Sequence, residues 1–350
     1  MKELRYYILG ILALCLTACD KDDLLQQDSD NGEFYLRATV ENQVVTRAPY
    51  TLTAPTTEQP LLATVYASTY TNAFPNLGEN GQGGSEKVAI HTTANFQNSG
   101  PQLLNGPIYP KKSNGDPYDV NFVAFYPQTP WTAQADGTKT EFTFDGSQDV
   151  MFAPSIVGKY GSVYPTISFK HLLTWLRISV MAESEDVSIA WGKITNLKIK
   201  SKNRVIVDLS LTDDDVTQLV TYDNDTPMPF YATGSNNTIF PDVLSGYTLP
   251  YDKFHEVAYV LCSPVVSPVI EVVDGVDTEV GEFLLYLETE KRNAVLPVYL
   301  YKDASNRFSG STRAHRFDIK LLFHMGSSVS ASGAVVDWFT GGIGYGGLDE

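Results

Sequence analysis

The chain has 350 residues, of which 43% are hydrophobic and 12% aromatic, and a formal net charge of -16. That content supports a sizeable core and about two domains, while the charge argues against nucleic acid and anionic membrane surfaces as partners. Cys15 falls in the N-terminal leader and Cys19 at the candidate lipid site that closes it, so Cys262 stands alone, which excludes a disulfide framework or a thiolate metal site.

The chain opens with Lys2 and Arg5, then an apolar run over residues 6–16 that is too short to span a bilayer comfortably, then Leu16-Thr17-Ala18-Cys19. This is the layout of a secretory signal over 1–18, with a site similar to the bacterial lipobox, in which the cysteine is acylated and becomes the new N-terminus. The acidic follower Asp20-Lys21-Asp22-Asp23 resembles the export signal that sends Bacteroidetes lipoproteins to the outer face of the outer membrane, and it also reads as a solvated tether. Acyl chains anchor by burying methylenes, at about 0.8 kcal/mol each.

Beyond the leader, period-two segments and Pro, Gly, Asn, Asp and Ser breaks dominate, and helical periodicity is nearly absent. Residues 34–40 alternate cleanly, with Phe34, Leu36, Ala38 and Val40 on one face. Strands are also expected at 61–67 and 120–126, the second ended by Pro127, which cannot donate to a ladder. Residues 72–85 read as a Gly/Asn-rich loop. Residues 166–180 read as one long strand with a kink. The polar stretch 183–186 is the expected domain boundary. Further strands are expected at 194–200, 205–211, 256–262, 282–288, 294–301, 316–324 and 334–339, with turns at Asp213-Asp214-Asp215 and Asp274-Gly275. So many short strands point to an all-β fold of sandwiches.

No chemistry-bearing motif stands out. His91, His171, His255, His315 and His324 show no close metal-ligand spacing, and no nucleophile elbow, P-loop or dinucleotide fingerprint is present. The Asp213–Asp215 run and the group Asp274, Asp277 and Glu279 could offer oxygens to Ca²⁺ but read more simply as solvated turns. No catalytic residue, cofactor or metal site is assigned, and the chain is expected not to be an enzyme. Cys262 reads as a buried small hydrophobe in a strand, and the glycine-rich stretch 341–347 as a C-terminal tail.

Five stretches together resemble the Bacteroidetes-type (type V) fimbrillin family. They are the lipobox at Cys19 with its acidic follower; Val44-Val45-Thr46-Arg47-Ala48-Pro49, similar to the site where an Arg-specific maturation protease cuts; and Asn121-Phe122-Val123-Ala124-Phe125-Tyr126-Pro127. Asp149-Val150-Met151-Phe152-Ala153 follows, paired with Phe169-Lys170-His171-Leu172-Leu173-Thr174-Trp175-Leu176-Arg177-Ile178, and last come residues 316–322 with Val336-Asp337-Trp338. Residues 212–280 match nothing in the family. The resemblance implies two transthyretin-like Greek-key β-sandwich domains in tandem, at 48–182 and 183–350, preceded by a removable segment at 19–47. It also implies a structural subunit, stalk or tip, of a cell-surface fimbria that mediates adhesion. Cleavage between Arg47 and Ala48 would release the strand bearing Phe34, Leu36, Ala38 and Val40. A donor strand from the next subunit, near 327–339 with Ala334, Val336 and Trp338 on one face, would refill the groove. The implied partners are other fimbrial subunits, the Arg-specific protease and the outer membrane through the lipid. An Arg-Ala pair is also an ordinary surface loop. The competing function is a glycan-binding surface lipoprotein that does not polymerise, with Trp131 or Trp191 as stacking platforms rather than core aromatics.

Overall fold

The computed structural model describes residues 33–40, 57, 60–69, 89–97, 100–128, 131–133, 139–209, 219–234, 237–242, 244–268, 270–273, 276–279, 281–301, 306–326 and 328–336. The leader, Cys19 and its acidic follower, Arg47 and Ala48, the loop at 72–85, Asp213 to Asp215, Asp274-Gly275, and Trp338 with the glycine tail lie outside the described residues.

In chain order the strands are β1 (Glu33–Val40), β2 (Leu61–Ser68), β3 (Ala89–Phe96), β4 (Gln102–Ile108), β5 (Val120–Tyr126), β6 (Thr132–Ala133), β7 (Lys139–Thr143), β8 (Met151–Gly158), β9 (Thr166–His171) and β10 (Thr174–Ala182). One short helix, α1 (Glu185–Trp191), precedes β11 (Ile194–Asp208), β12 (Val220–Ala232), β13 (Ile239–Phe240), β14 (His255–Cys262), β15 (Ile270–Val273) and β16 (Val276–Glu279). The last four are β17 (Phe283–Thr289), β18 (Asn293–Tyr301), β19 (Arg316–Phe323) and β20 (Val329–Val336). The all-β expectation holds. A 7-stranded sheet runs β3-β2-β5-β8-β9-β1-β4, and its edge strands β3 and β4 approach each other so that it curls. An 11-stranded sheet closes on itself, because β11 pairs with β17 along one edge and with β12 along the other.

Each sheet wraps its own core, and three strands serve both. In β5, Phe122 and Ala124 face the smaller core, while Val123 and Phe125 face the larger one. In β2, Val65 and Tyr66 divide in the same way, as do Met151 and Phe152 in β8. A strand buried on both faces has no polar side to show, which is why residues 122–125 read as an unbroken apolar run.

The boundary expected at Glu183 does not coincide with the change of sheet. The chain leaves the smaller sheet at Leu172-Leu173, so β10 belongs to the larger one. Residues 166–180 are therefore two strands in different sheets, and the expected kink is the crossing between them. An earlier excursion carries β6 and β7 into the larger sheet, where Lys139–Thr143 pair with β11 from Asp208 back to Arg204. Its return at Gly146 needs a left-handed backbone, φ +93°, and a Cβ there would meet Val260 Cγ2 at 2.7 Å.

Both crossings meet at one buried polar pair. Asp149 Oδ2 lies 2.5 Å from His171 Nδ1, and the two residues are 0% and 3% exposed. Asp149 Oδ1 accepts from the Val150 N–H at 2.8 Å, and Val150 O accepts from the Leu172 N–H at 2.9 Å. Burial, reinforced by the nearby Asp149 charge, pushes the Tyr126 hydroxyl up to about 12, so it stays neutral beside the pair.

The polar stretch expected as a break instead starts α1. Ser184 caps it by accepting from the Val187 N–H at 3.3 Å, and Glu185 and Asp186 sit in the first turn, where the helix dipole favours them. Val187 and Trp191 are buried on one face. The strands expected at 194–200 and 205–211 are one strand, β11. Of the strand expected at 334–339, residues 334–336 lie in β20, Val329–Val336, and 337–339 fall outside the described residues.

Removing one partner of a buried pair strands the other without a substitute. Asp149→Ala is expected to lower unfolding free energy by about 3–5 kcal/mol, read from the denaturant midpoint. A change under about 0.5 kcal/mol, the size of an ordinary surface substitution, would show that the crossings do not depend on the pair.

Candidate functional site: the slot of the first strand

Strand β1 comes from the start of the described chain yet lies inside the smaller sheet. Along its first half it pairs antiparallel with β4, with Tyr35 opposite Leu103 and Leu36 opposite Gln102, after an irregularity between Glu33 and Tyr35. Along its second half it pairs parallel with β9, from Arg37 opposite Thr166 to Val40 opposite Phe169. The Arg37 N–H donates to Pro165 O at 3.0 Å, and Thr39 Oγ1 donates to Ile167 O at 3.4 Å. Both edges of β1 are therefore in use.

The alternation read from sequence is the alternation of burial. Phe34, Leu36 and Ala38 are 0% exposed and Val40 3%, all in the smaller core. Phe34 is the largest of them. Its ring meets Tyr109 edge-on at 4.3 Å between centroids and Phe122 at 5.2 Å. Gly158 makes room for this cluster, since a Cβ there would sit 2.5 Å from the Phe122 ring and 3.0 Å from the Tyr109 hydroxyl. Tyr109 and Gly158 were not picked out from sequence; neither lies in an alternating run, and only the fold brings them to Phe34.

The arrangement holds an extended apolar segment by backbone pairing on two sides and by alternate side chains underneath. Those are the elements of recognition by strand addition. In the sequence β1 is followed by β2 after residues 41–60, the span that contains Arg47.

The other residues singled out from sequence fall elsewhere. Ala334 and Val336 lie in β20, which pairs antiparallel with β19, Ala334 opposite Asp318 and Val336 opposite Arg316. β20 also runs parallel to β18. The proposed donor segment is thus an interior strand of its own sheet. Trp191 is 1% exposed, and its indole donates to His324 O at 3.0 Å, so it is a core residue and not a stacking platform. Trp131 is half-buried against Phe125 and Phe142, with centroids at 4.8 and 5.1 Å, and donates to Pro127 O. It too is spent on packing.

His255 pairs with Asp252, and His324 with Glu183 and Ser330. His315 contacts the Arg313 carbonyl. Glu279, one of the candidate Ca²⁺ ligands, is ion-paired with Arg307. No group of three His, Cys, Asp or Glu side chains capable of holding a metal occurs among the described residues. Cys262 is buried in β14 as expected, and burial pushes its thiol well above the ordinary range.

No family model and no curated protein sequence matches the chain. Among solved structures, a candidate cell adhesion protein from Bacteroides uniformis ATCC 8492 aligns at 14% identity and TM-score 0.49, covering 89% of this chain and 100% of its own. One from Bacteroides ovatus ATCC 8483 aligns at 14% identity and TM-score 0.47, covering 89% and 99%. The fimbrial anchor protein Mfa2 from Porphyromonas gingivalis aligns at 10% identity and TM-score 0.38, covering 85% and 94%. The structural neighbours are Bacteroidetes proteins named for cell adhesion, for fimbriae or, in one from Bacteroides thetaiotaomicron VPI-5482, for polysaccharide binding.

If the slot is a tight apolar seat, truncating its main occupant leaves a cavity. Phe34→Ala is expected to cost about 3–5 kcal/mol and Leu36→Ala about 2–5 kcal/mol. Leu62→Ala, on the exposed face of β2, should stay within about 0.5 kcal/mol. Equal losses at Phe34 and Leu62 in chemical denaturation would rule out the seat.

Proposed function

We propose that the chain is a structural subunit of a cell-surface fimbria, exported as a lipoprotein and assembled by exchanging β1 for a strand of the next subunit. The observation that carries this reading is the position of β1. It is an interior strand with a fully buried apolar face, and it precedes Arg47 in the sequence.

In this reading acylated Cys19 holds the precursor at the outer membrane, and an Arg-specific protease cuts between Arg47 and Ala48. The released piece carries the lipid anchor and all of β1. Its departure uncovers the β4 and β9 edges together with the seats of Phe34, Leu36, Ala38 and Val40. Unpaired edges flanking an apolar groove form a template for another strand. The donor is the segment around 327–339 of a neighbouring subunit, which presents Ala334, Val336 and Trp338 at the period of two that the seats require. Because β20 is an interior strand before assembly, donation trades its pairing with β18 and β19 for pairing with β4 and β9 of the neighbour. Lasting attachment of the polymer to surfaces, and hence adhesion, is the biological result.

Treatment with an Arg-specific protease is expected to give a new N-terminus at Ala48, followed by a ladder of polymers on an unheated gel. Excess synthetic peptide of residues 33–40 should suppress the ladder by refilling the slot. Arg47→Ala protein should stay monomeric under the same treatment. Polymerisation of that variant at the wild-type rate would overturn the mechanism.

A further inference from the structure

The two ladders that hold β1 meet end to end. Glu33, Tyr35 and Leu36 pair with β4, whose first residue Gln102 stands opposite Leu36, and Arg37 to Val40 pair with β9. Each half of the strand has its own grip, and the grips are unequal. The β4 half carries Phe34 and Leu36 on its buried face, and the Phe34 ring meets those of Tyr109 and Phe122. On its outer face the Tyr35 ring lies 5.3 Å from that of Tyr164, and its hydroxyl donates to Glu33 Oε2 at 3.2 Å. The β9 half carries only Ala38 and Val40 on its buried face, and its side-chain bond from Thr39 to Ile167 O is long, at 3.4 Å. Apolar stabilisation follows the area removed from water, so the β4 half is the stronger grip.

The chain runs from Val40 on toward Arg47, so a cut there frees the end next to the weaker grip. Hydrolysis adds one water across the Arg47–Ala48 peptide bond and leaves a carboxylate on Arg47 and an amine on Ala48. It breaks none of the contacts of β1. What it removes is the tether. A short flexible linker keeps a strand at an effective concentration of about millimolar, whereas a cut strand has only its own affinity. On the other side stand four buried side chains and two ladders. An empty slot would also expose an apolar groove between unpaired edges.

We propose that the cut strand remains in the slot as a non-covalent ligand and leaves only by displacement, the incoming strand taking the β9 half before the β4 half. The proposal rests on the strand-exchange reading and adds the regulation of that site. The freed end opens first, because a terminus with little burial unfolds locally at the lowest cost, and the β9 edge it uncovers admits the invader. Exchange then advances toward Phe34, whose seat is vacated last. A cut subunit thus stays on its lipid-bearing fragment until another strand arrives, and no groove stands open in the meantime.

Two proteases test this on the full chain: an Arg-specific enzyme at the natural site, and thrombin on a variant with a thrombin site in place of residues 44–49. After either cut, the fragment bearing β1 is expected to co-elute with the body in gel filtration at micromolar concentration. A fluorescent peptide of residues 33–40 should then enter the slot at a rate that rises with peptide concentration. Amide hydrogen exchange should speed up about tenfold over 37–40 on cutting and stay unchanged over 34–36. Phe34→Leu should weaken retention of the fragment about tenfold, while Val40→Ala should hasten peptide entry about tenfold with the fragment still bound. Separate elution of the wild-type fragment would overturn the proposal, as would peptide entry at a rate independent of its concentration. Faster exchange over 34–36 than over 37–40 would overturn the order of steps. Retention after thrombin, in a chain that the Arg-specific enzyme leaves whole, would uphold the proposal and overturn the maturation step instead.

Discussion

The smaller sheet depends on a strand that the chain supplies before anything else in it. β1 stands between β9 and β4, and without it those two have no common neighbour. Four alternate side chains of β1 carry the apolar load, Phe34 most of all. Burying a large apolar side chain contributes roughly 1.5–3 kcal/mol, before the hydrogen bonds on both edges are considered. Summed over one strand this becomes comparable to the about 5–15 kcal/mol that separates a folded domain from its unfolded state. A sheet built this way does not tolerate an empty slot for long. It keeps β1, takes a substitute, or opens.

The two units respond differently to that vacancy. The side chains of β1 reach only the smaller core, while the larger core receives the opposite faces of β2, β5 and β8. Tyr66, Val123, Phe125 and Phe152 hold those strands from the far side whether or not the slot is filled. The Asp149–His171 pair sits where the chain passes between sheets, with Asp149 also accepting from the Val150 N–H. Strands β2, β5 and β8 are thus held from both cores, whereas β4 and β9, the neighbours of β1, contribute core side chains only to the smaller one among the described residues.

Much of this was legible in the sequence, for a physical reason. Where a strand has one buried face, side chains alternate, and residues 34–40 show that alternation without exception. Fully buried β5 was legible as a strand through its apolar run and Pro127, although its double role was not. What escaped was set by pairing rather than by pattern. β12 contains Asp223, Asn224, Asp225, Pro227 and Pro229, a composition that argues against a strand, yet nine of its residues pair with β11. α1 was hidden because its short polar start looked like a break, and only Val187 and Trp191 mark its buried face. The change of sheet at Leu172-Leu173 was not legible either, since it occurs inside a continuous apolar stretch.

A cleft of about 620 Å³ opens on the larger unit, between β11 and β12 and the segments that follow β14 and precede β19. Neither the slot nor this cleft is a contiguous motif, but they differ in how far sequence reaches them. The slot's occupant is a single run, so its alternating face can be read directly even though its seats, Tyr109, Phe122 and Gly158, cannot. The cleft has no single run at all; Lys202, Tyr222, Ser263 and Arg313 come from separate segments that the closure of β11 on β12 brings together. That closure is itself built on the improbable strand β12. It turns part of 212–280, a stretch with no family resemblance, into one wall of a cleft that Lys200, Lys202 and Arg313 also line.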